Sequence, residues 1–453
     1  MDALPPSRLP PSRAALARYA RQNLPRYTSY PTAPHFKALE EATYREWLAA
    51  VAPGDRLSLY LHIPFCKSLC WYCGCHTSVT RSVARTSRYA QGLLAEATLL
   101  SAALPAGAPV ESLHLGGGTP SALGAEALEA VMEGLRRRFA FEGDAELSVE
   151  LDPRLLDDAI VAMLARQGFT RASLGVQDMA AEVQTLIGRI QPPALVQGAV
   201  QKLRAAGIKG INFDLMYGLP GQTTAHVEAS ARFAAEAGAD RVAVFGYAHV
   251  PWMKPHQKAI PEDRLPDAMA RMDQAEAAER ALLAAGYVAI GLDHFARSED
   301  PMAVAARSGA LRRNFQGYTT DRAPVLVGLG ASAIGSLPQG YAQNLADERG
   351  WLAAVEAGRL PIARGLALTK EDRLRRGIIE AVMCDLSLDL RRVPLKVWRD
   401  AEARLEPLVA DGLAAVEEGR LVATEAGRRF VRHIAAAFDA YLGGGPARHS
   451  AAV

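Results

Sequence analysis

From about residue 55 the chain alternates short apolar runs with longer amphipathic stretches. The short runs are LSLYLHI (57–63), SLHLGG (112–117), ELSVELD (146–152), RASLGVQ (171–177), INFDLMYG (211–218) and RVAVFGY (241–247). Each has the length and apolar content of a buried strand. Between them, segments such as SRYAQGLLAEATLLSAAL and PALVQGAVQKLRAAG repeat apolar residues at helical spacing. Strand–helix alternation at these lengths predicts βαβ units and a parallel sheet. Six units predict an α/β protein, a partial (β/α)6 TIM-like barrel, with an open doubly wound sheet as the alternative. In both architectures chemistry gathers at the carboxyl ends of the strands.

The residues at those ends favour the barrel. A cysteine-rich stretch follows the first strand and GGGTP follows the second. Glu150 and Asp152 end the third, and Gln177 and Asp178 end the fourth. Asp214 lies in the fifth, which runs into GLPGQT, and Tyr247, Ala248 and His249 close the sixth. Polar and glycine-rich residues thus fall where a barrel mouth would be.

The flanks read differently. MDALPPSRLPPSRAALARYARQ is Pro-rich and basic, with Asp2 its only acid. Its Pro pairs predict an irregular arm leading into a short helix. The aromatic segment NLPRYTSYPTAPHF is expected to be ordered by packing. Beyond about residue 365 the alternation stops and helices dominate. There the hairpin LAAVEEGRLVAT and the helix after it resemble a winged-helix element. Its basic residues alternate with acids, which fits a lid or packing role better than DNA binding. The expected division is an arm and mouth segment at 1–54, the barrel at 55–364 and a mainly helical domain at 365–453.

Charge and composition narrow the class. Among 453 residues, 51 Lys+Arg against 49 Asp+Glu leave a net charge of +2. So small an excess argues against a nucleic-acid partner. No apolar run is long enough for a membrane span, and no secretory core stands at the start. The Arg-rich start shares its composition with transit peptides; the expectation adopted is a cytoplasmic monomer.

Cysteine placement carries the chemistry. Of five Cys, four fall in YLHIPFCKSLCWYCGCH: Cys66, Cys70, Cys73 and Cys75. An odd total without a secretory signal makes a poor disulfide framework. The Cys-x3-Cys-x2-Cys spacing points to a metal centre, and an iron–sulfur cubane fits it well. With three ligands, one iron is open to a cofactor or substrate. The alternative is structural zinc with Cys75, His62 or His76 as fourth ligand, but no second pair of ligands follows. Cys384, alone and distant, reads as a small buried hydrophobe. The GGGTP turn at 116–120 lets backbone amides approach a ligand closely. It lacks the Gly-Lys-Ser/Thr of a P-loop, which disfavours a nucleoside triphosphate.

These two motifs together resemble the radical S-adenosylmethionine superfamily. The set RYTSYPTAPHF, YLHIPFC, CGC, LGVQD, FDLMYGLPGQT, LDHFAR, RNFQGYTT and YAQN resembles, more closely, the oxygen-independent coproporphyrinogen III oxidase (dehydrogenase) family, from about Asn23 to Leu442. The resemblance implies that Cys66, Cys70 and Cys73 bind a [4Fe–4S] cluster, and that Cys75 is a motif residue and not a ligand. It implies two S-adenosylmethionine molecules. The first would contact Tyr60, Gly117, Glu150 and Ile334. The second would contact Tyr72, Gly118, Thr119, Gln177, Arg189, Asp214 and Ala248. Read singly, Glu150 could cap a following helix and Arg189 could be a surface charge.

The implied reaction uses a 5′-deoxyadenosyl radical to remove a propionate β-hydrogen from coproporphyrinogen III. Loss of carbon dioxide and one further electron then leaves a vinyl group. No side chain is implied as acid or base, and the electron would come from a low-potential donor such as a flavodoxin-type protein. Four substrate carboxylates call for arginines near the mouth, and Arg26 and Arg313 are the candidates. A haem chaperone on the same fold is the rival reading; Cys75 and NFQGYTT favour the oxidase.

Overall fold

The computed structural model describes residues 11–443. All six expected strands form: β1 (Leu57–Ile63), β2 (Pro109–Gly117), β3 (Ala140–Leu151), β4 (Arg171–Gln177), β5 (Gly210–Tyr217) and β6 (Arg241–Gly246). A seventh, β7 (Val325–Leu329), was not expected. These seven pair in parallel in the order β7-β1-β2-β3-β4-β5-β6. Three of the crossover helices start on side-chain caps, Ser82, Asp157 and Thr223, each accepting a backbone N–H of the first turn.

Antiparallel strands extend the sheet at both edges to 13 strands. Strand Ile334–Leu337 pairs beside β7, and His294–Arg297 pairs with β6. Among the described residues the barrel does not close: the sheet runs open from Lys37–Ala38 at one edge to Tyr287–Ile290 at the other.

Strand periodicity sorts the side chains. Leu57, Leu59, Leu61 and Ile63 are buried in the main core, so Ser58, Tyr60 and His62 point to the opposite face. Register aligns Tyr60 with His114 of β2, and His114 with Ser148 of β3. Glu150, two residues after Ser148, therefore shares that face, as do Ser173, Asn212 and Asp214. A two-residue period and parallel register gather these polar residues without any local motif.

A second core forms elsewhere. Tyr19, Leu24, Tyr27 and Tyr30 pack with Ile378, Trp398, Phe430 and Phe438. The helix Arg13–Ala20 and the aromatic segment after it are thus ordered by C-terminal helices far away in sequence. The first ten residues of the Pro-rich arm lie outside the described residues. The predicted hairpin is present as Ala414–Glu417 against Arg420–Ala423, with a third strand at Ser387–Asp389. The helix Val431–Ala437 follows it. Among the described residues, no helix is long and apolar enough to cross a membrane.

Candidate functional site at the carboxyl ends of the parallel strands

The cysteine loop leaves β1 and returns on itself. Phe65–Cys66 pairs in parallel with Ser78–Val79. Cys73 N–H donates to the Cys70 carbonyl at 3.1 Å, and Trp71 N–H donates to Ile187 at 3.0 Å. A segment after β6 holds the outer part: Gln257, His256 and Lys254 donate to the carbonyls of Tyr72, Cys73 and Cys75 at 2.9, 2.7 and 2.7 Å. All five cysteines are free thiols.

The glycine turn packs directly under this loop. Gly118 N–H donates to Ile63 at 2.8 Å and Thr119 N–H to Phe65 at 2.7 Å. Thr119 Oγ1 lies 3.8 Å from Cys66 Sγ. Gly117 has φ +112°, a conformation that favours glycine, and a Cβ there would lie 2.7 Å from the His62 ring. At Gly118 a Cβ would stand 2.6 Å from the Phe65 carbonyl.

Carboxylates and guanidiniums complete the floor. Glu150 accepts the Gly117 N–H at 3.0 Å and pairs with His114 at 3.2 Å. Burial pushes its carboxyl up, but His114 and the Gly117 amide outweigh burial and hold it below the usual range. Asp152, and not Glu150, caps the next turn, accepting from Arg154 N–H at 3.0 Å. Arg189 is 6% exposed, so it is no surface charge. It donates to Asp152 at 3.2 Å and to Cys70 Sγ at 3.4 Å, and Arg154 reaches the same sulfur at 3.5 Å.

Farther along the mouth, Asp214 accepts from Ser173 at 2.8 Å and from Asn212 at 2.9 Å, and burial pushes its carboxyl up to about 6. Gln177 ends β4 with φ +68°, an uncommon conformation for a side-chain-bearing residue. Tyr72 packs among Val183, Ile187, Leu219 and Tyr247. Ala248 follows Tyr247 and accepts from Gln257 at 3.2 Å. Ile334 comes from the antiparallel extension; its backbone lies against Gly328, the register partner of Tyr60. Tyr60 donates to or accepts from His62 Nδ1 at 3.0 Å and stacks on His114. With His62 Nε2 on the His76 carbonyl at 3.0 Å and His76 Nε2 on Ala346 at 2.8 Å, both histidines are engaged away from the thiols.

Comparison with known proteins decides the family. The radical SAM superfamily model matches residues 60–234, and the HemN C-terminal domain model matches 368–430. An oxygen-independent coproporphyrinogen III oxidase of Bradyrhizobium diazoefficiens is 48% identical over 449 residues, 97% of this chain and 100% of that protein. The Escherichia coli enzyme of the same name is 40% identical over 92% of this chain and 93% of its own. The solved structure of coproporphyrinogen III oxidase (HemN) from Escherichia coli, described as a radical SAM enzyme, superposes with a TM-score of 0.87, covering 93% of this chain and 100% of that one at 38% identity. The chain belongs to the oxygen-independent coproporphyrinogen III oxidase family.

Radical SAM membership brings a [4Fe–4S] cluster and S-adenosylmethionine. The site fits a cluster in its donor chemistry. Cys66, Cys70 and Cys73 are soft, unoxidised sulfur donors on one loop, and the guanidiniums of Arg189 and Arg154 flank Cys70. The neighbouring Cys75 thiol holds Cys73 below its ordinary pKa, whereas burial raises Cys66 to about 11. Among the described residues, no three His, Cys, Asp or Glu side chains converge as for a single ion. A cubane takes each thiolate on a different iron and needs no such convergence. Among the described residues Arg189 Nε is buried without a partner, a donor left open at this mouth. Sequence reasoning missed His114, Arg154 and His256, which act through distant partners; Asp152 was legible as a strand-end acid.

Proposed function

We propose that this chain performs the oxygen-independent oxidative decarboxylation of two propionates of coproporphyrinogen III, giving the vinyl groups of protoporphyrinogen IX in haem biosynthesis. It is an S-adenosylmethionine-dependent oxidoreductase. The observation that carries this reading is the contact of the two motifs, Thr119 Oγ1 at 3.8 Å from Cys66 Sγ, in a chain related to these oxidases over almost its whole length.

When bound, the cluster and S-adenosylmethionine supply the radical chemistry that removes a propionate β-hydrogen. The protein supplies position and exclusion of water. Cys66, Cys70 and Cys73 hold the cluster, and exposed Cys75 supports Cys73 without ligating. Tyr60, Gly117, Glu150 and Ile334 hold the first cofactor molecule; the ionised Glu150 carboxylate suits an amino or hydroxyl donor. Tyr72, Gly118, Thr119, Gln177, Arg189, Asp214 and Ala248 hold a second, and the open Nε of Arg189 supports this.

Exposed Leu69 and Trp71 on the cysteine loop offer an approach for a low-potential flavodoxin-type donor. Free thiols suit the reducing cytoplasm. The test is anaerobic turnover of the iron- and sulfide-reconstituted protein with coproporphyrinogen III, S-adenosylmethionine and a one-electron reductant. Protoporphyrinogen IX and carbon dioxide are expected; haem binding without turnover would overturn the reading in favour of a chaperone.

A further inference from the structure

Beside the cofactor positions lies a cavity of about 360 Å³. The ends of β5 and β6 form its floor through Tyr217, Phe245 and Tyr247. Ala248, assigned above to the second cofactor molecule, follows Tyr247, and Asp214 feels the charge of His294 in the cavity wall. The cavity is thus continuous in chain and field with the cofactor mouth.

Its lining is aromatic and cationic, with five guanidiniums and two carboxylates. One carboxylate, Glu279, is engaged by Arg428 and Arg429. Asp293 is the other. Its Oδ1 pairs with His294 Nδ1 at 2.8 Å, and among the described residues its Oδ2 has no hydrogen-bond partner. Against the upward push of burial, His294, Arg313 and Arg26 hold this carboxyl at about 2, so it is ionised.

Arg26 and Arg313 are positioned by backbone carbonyls. Arg26 donates to Gly246 at 3.3 Å; Arg313 donates to Tyr27 at 3.3 Å and to Arg26 at 3.1 Å. Among the described residues neither forms a salt bridge, and Arg313 has one buried nitrogen without a partner. Guanidiniums held by neutral acceptors keep their charge available to an anion. A sulfonium cofactor, being cationic, suits such a wall poorly.

The occupant must combine an apolar ring, carboxylates and N–H donors that meet one carboxylate. A porphyrinogen has all three: its pyrrole N–H groups point inward and its propionates outward. We propose that this cavity receives the tetrapyrrole, with Asp293 accepting pyrrole N–H hydrogen bonds and with Arg26 and Arg313 binding propionates. The assignment rests on coproporphyrinogen III being the substrate. Asp293 becomes a recognition residue for the reduced ring, as distinct from its carboxylates.

The test is anaerobic binding of coproporphyrinogen III and of coproporphyrin III to the reconstituted protein. The oxidised ring keeps the four carboxylates but has fewer pyrrole N–H donors. The parent should prefer the reduced ring. Asp293→Asn puts an amide donor where an acceptor is needed, and should weaken porphyrinogen binding roughly ten- to hundredfold. Its porphyrin affinity should change far less. Arg313→Gln should weaken both rings by a similar factor. Iron content should match the parent in both variants, since neither residue touches the cysteine loop. Retention of full ring discrimination in Asp293→Asn overturns the assignment, as does unchanged binding of both rings by Arg313→Gln. A parent protein that neither binds nor turns over coproporphyrinogen III instead overturns the substrate reading itself.

Discussion

Arg189 donates to Cys70 Sγ at 3.4 Å and to the Asp152 carboxylate at 3.2 Å. One buried guanidinium therefore couples the cysteine loop to the end of the third strand. Burial acts to lower its pKa, but the acidic groups around it, with the Asp152 carboxylate among them, raise it overall.

Arg189→Ala should weaken S-adenosylmethionine binding about ten- to hundredfold, the effect of losing a charge-assisted hydrogen bond of about 1.5–3 kcal/mol. Loss of a cation beside a thiolate should also move the cluster's reduction potential. Arg189→Lys keeps the charge without the fork, so it should restore the potential better than the binding. Anaerobic cofactor titration and redox titration measure the two separately. An unchanged potential in Arg189→Ala would remove Cys70 from its influence.

Replacing Cys66, Cys70 or Cys73 by Ser should abolish iron binding, because a hydroxyl is a poor soft ligand. Cys75→Ser should retain iron while replacing the neighbouring thiol that lowers Cys73. Iron and sulfide analysis after anaerobic reconstitution reads this directly. Equal iron loss in all four variants would refute a three-ligand cluster.

The glycine turn is built for packing as well as for a ligand. A Cβ at Gly118 would lie 2.6 Å from the Phe65 carbonyl, directly before Cys66. Gly118→Ala should therefore destabilise the protein by about 1–3 kcal/mol and lower iron retention along with cofactor binding. Denaturant unfolding and iron analysis check both effects. A fully stable, iron-replete variant lacking only cofactor binding would limit the turn to ligand contact.

His433 supplies a pH dependence away from the mouth. It lies in the second core, with Nε2 on the Tyr19 carbonyl at 3.1 Å, and burial followed by nearby Arg432 lowers its pKa from 6.5 to about 4. Between those values the unfolded chain binds a proton that the folded one refuses. Stability from this group is therefore full above about pH 6.5 and falls as pH drops toward 4, by up to about 3 kcal/mol. His433→Gln should flatten that part of the profile. Denaturant midpoints of parent and variant at pH 7 and pH 4.5 test this; an equal pH response would exclude His433.

By itself the sequence determined what is local. A strand's apolar run, the helix after it and the residues at its carboxyl end all lie within about thirty residues, so their order was legible. The Cys66–Cys75 loop and GGGTP were legible for the same reason, and the family resemblance extended them to residues such as Glu150 and Ile334. Only the tertiary structure decided which distant segments meet. Val325–Leu329 is a plain apolar run whose place beside Leu57–Ile63 comes from sheet pairing across more than two hundred residues. The open, 13-stranded sheet follows from antiparallel hairpins that join its edges and give no βαβ signal. Arg189 reaches Cys70 across the fold, and Asp293 lies within the electrostatic field of Arg26 and Arg313. Charge contacts of that kind leave no periodic trace along a chain; they exist only once burial and register have brought the groups together.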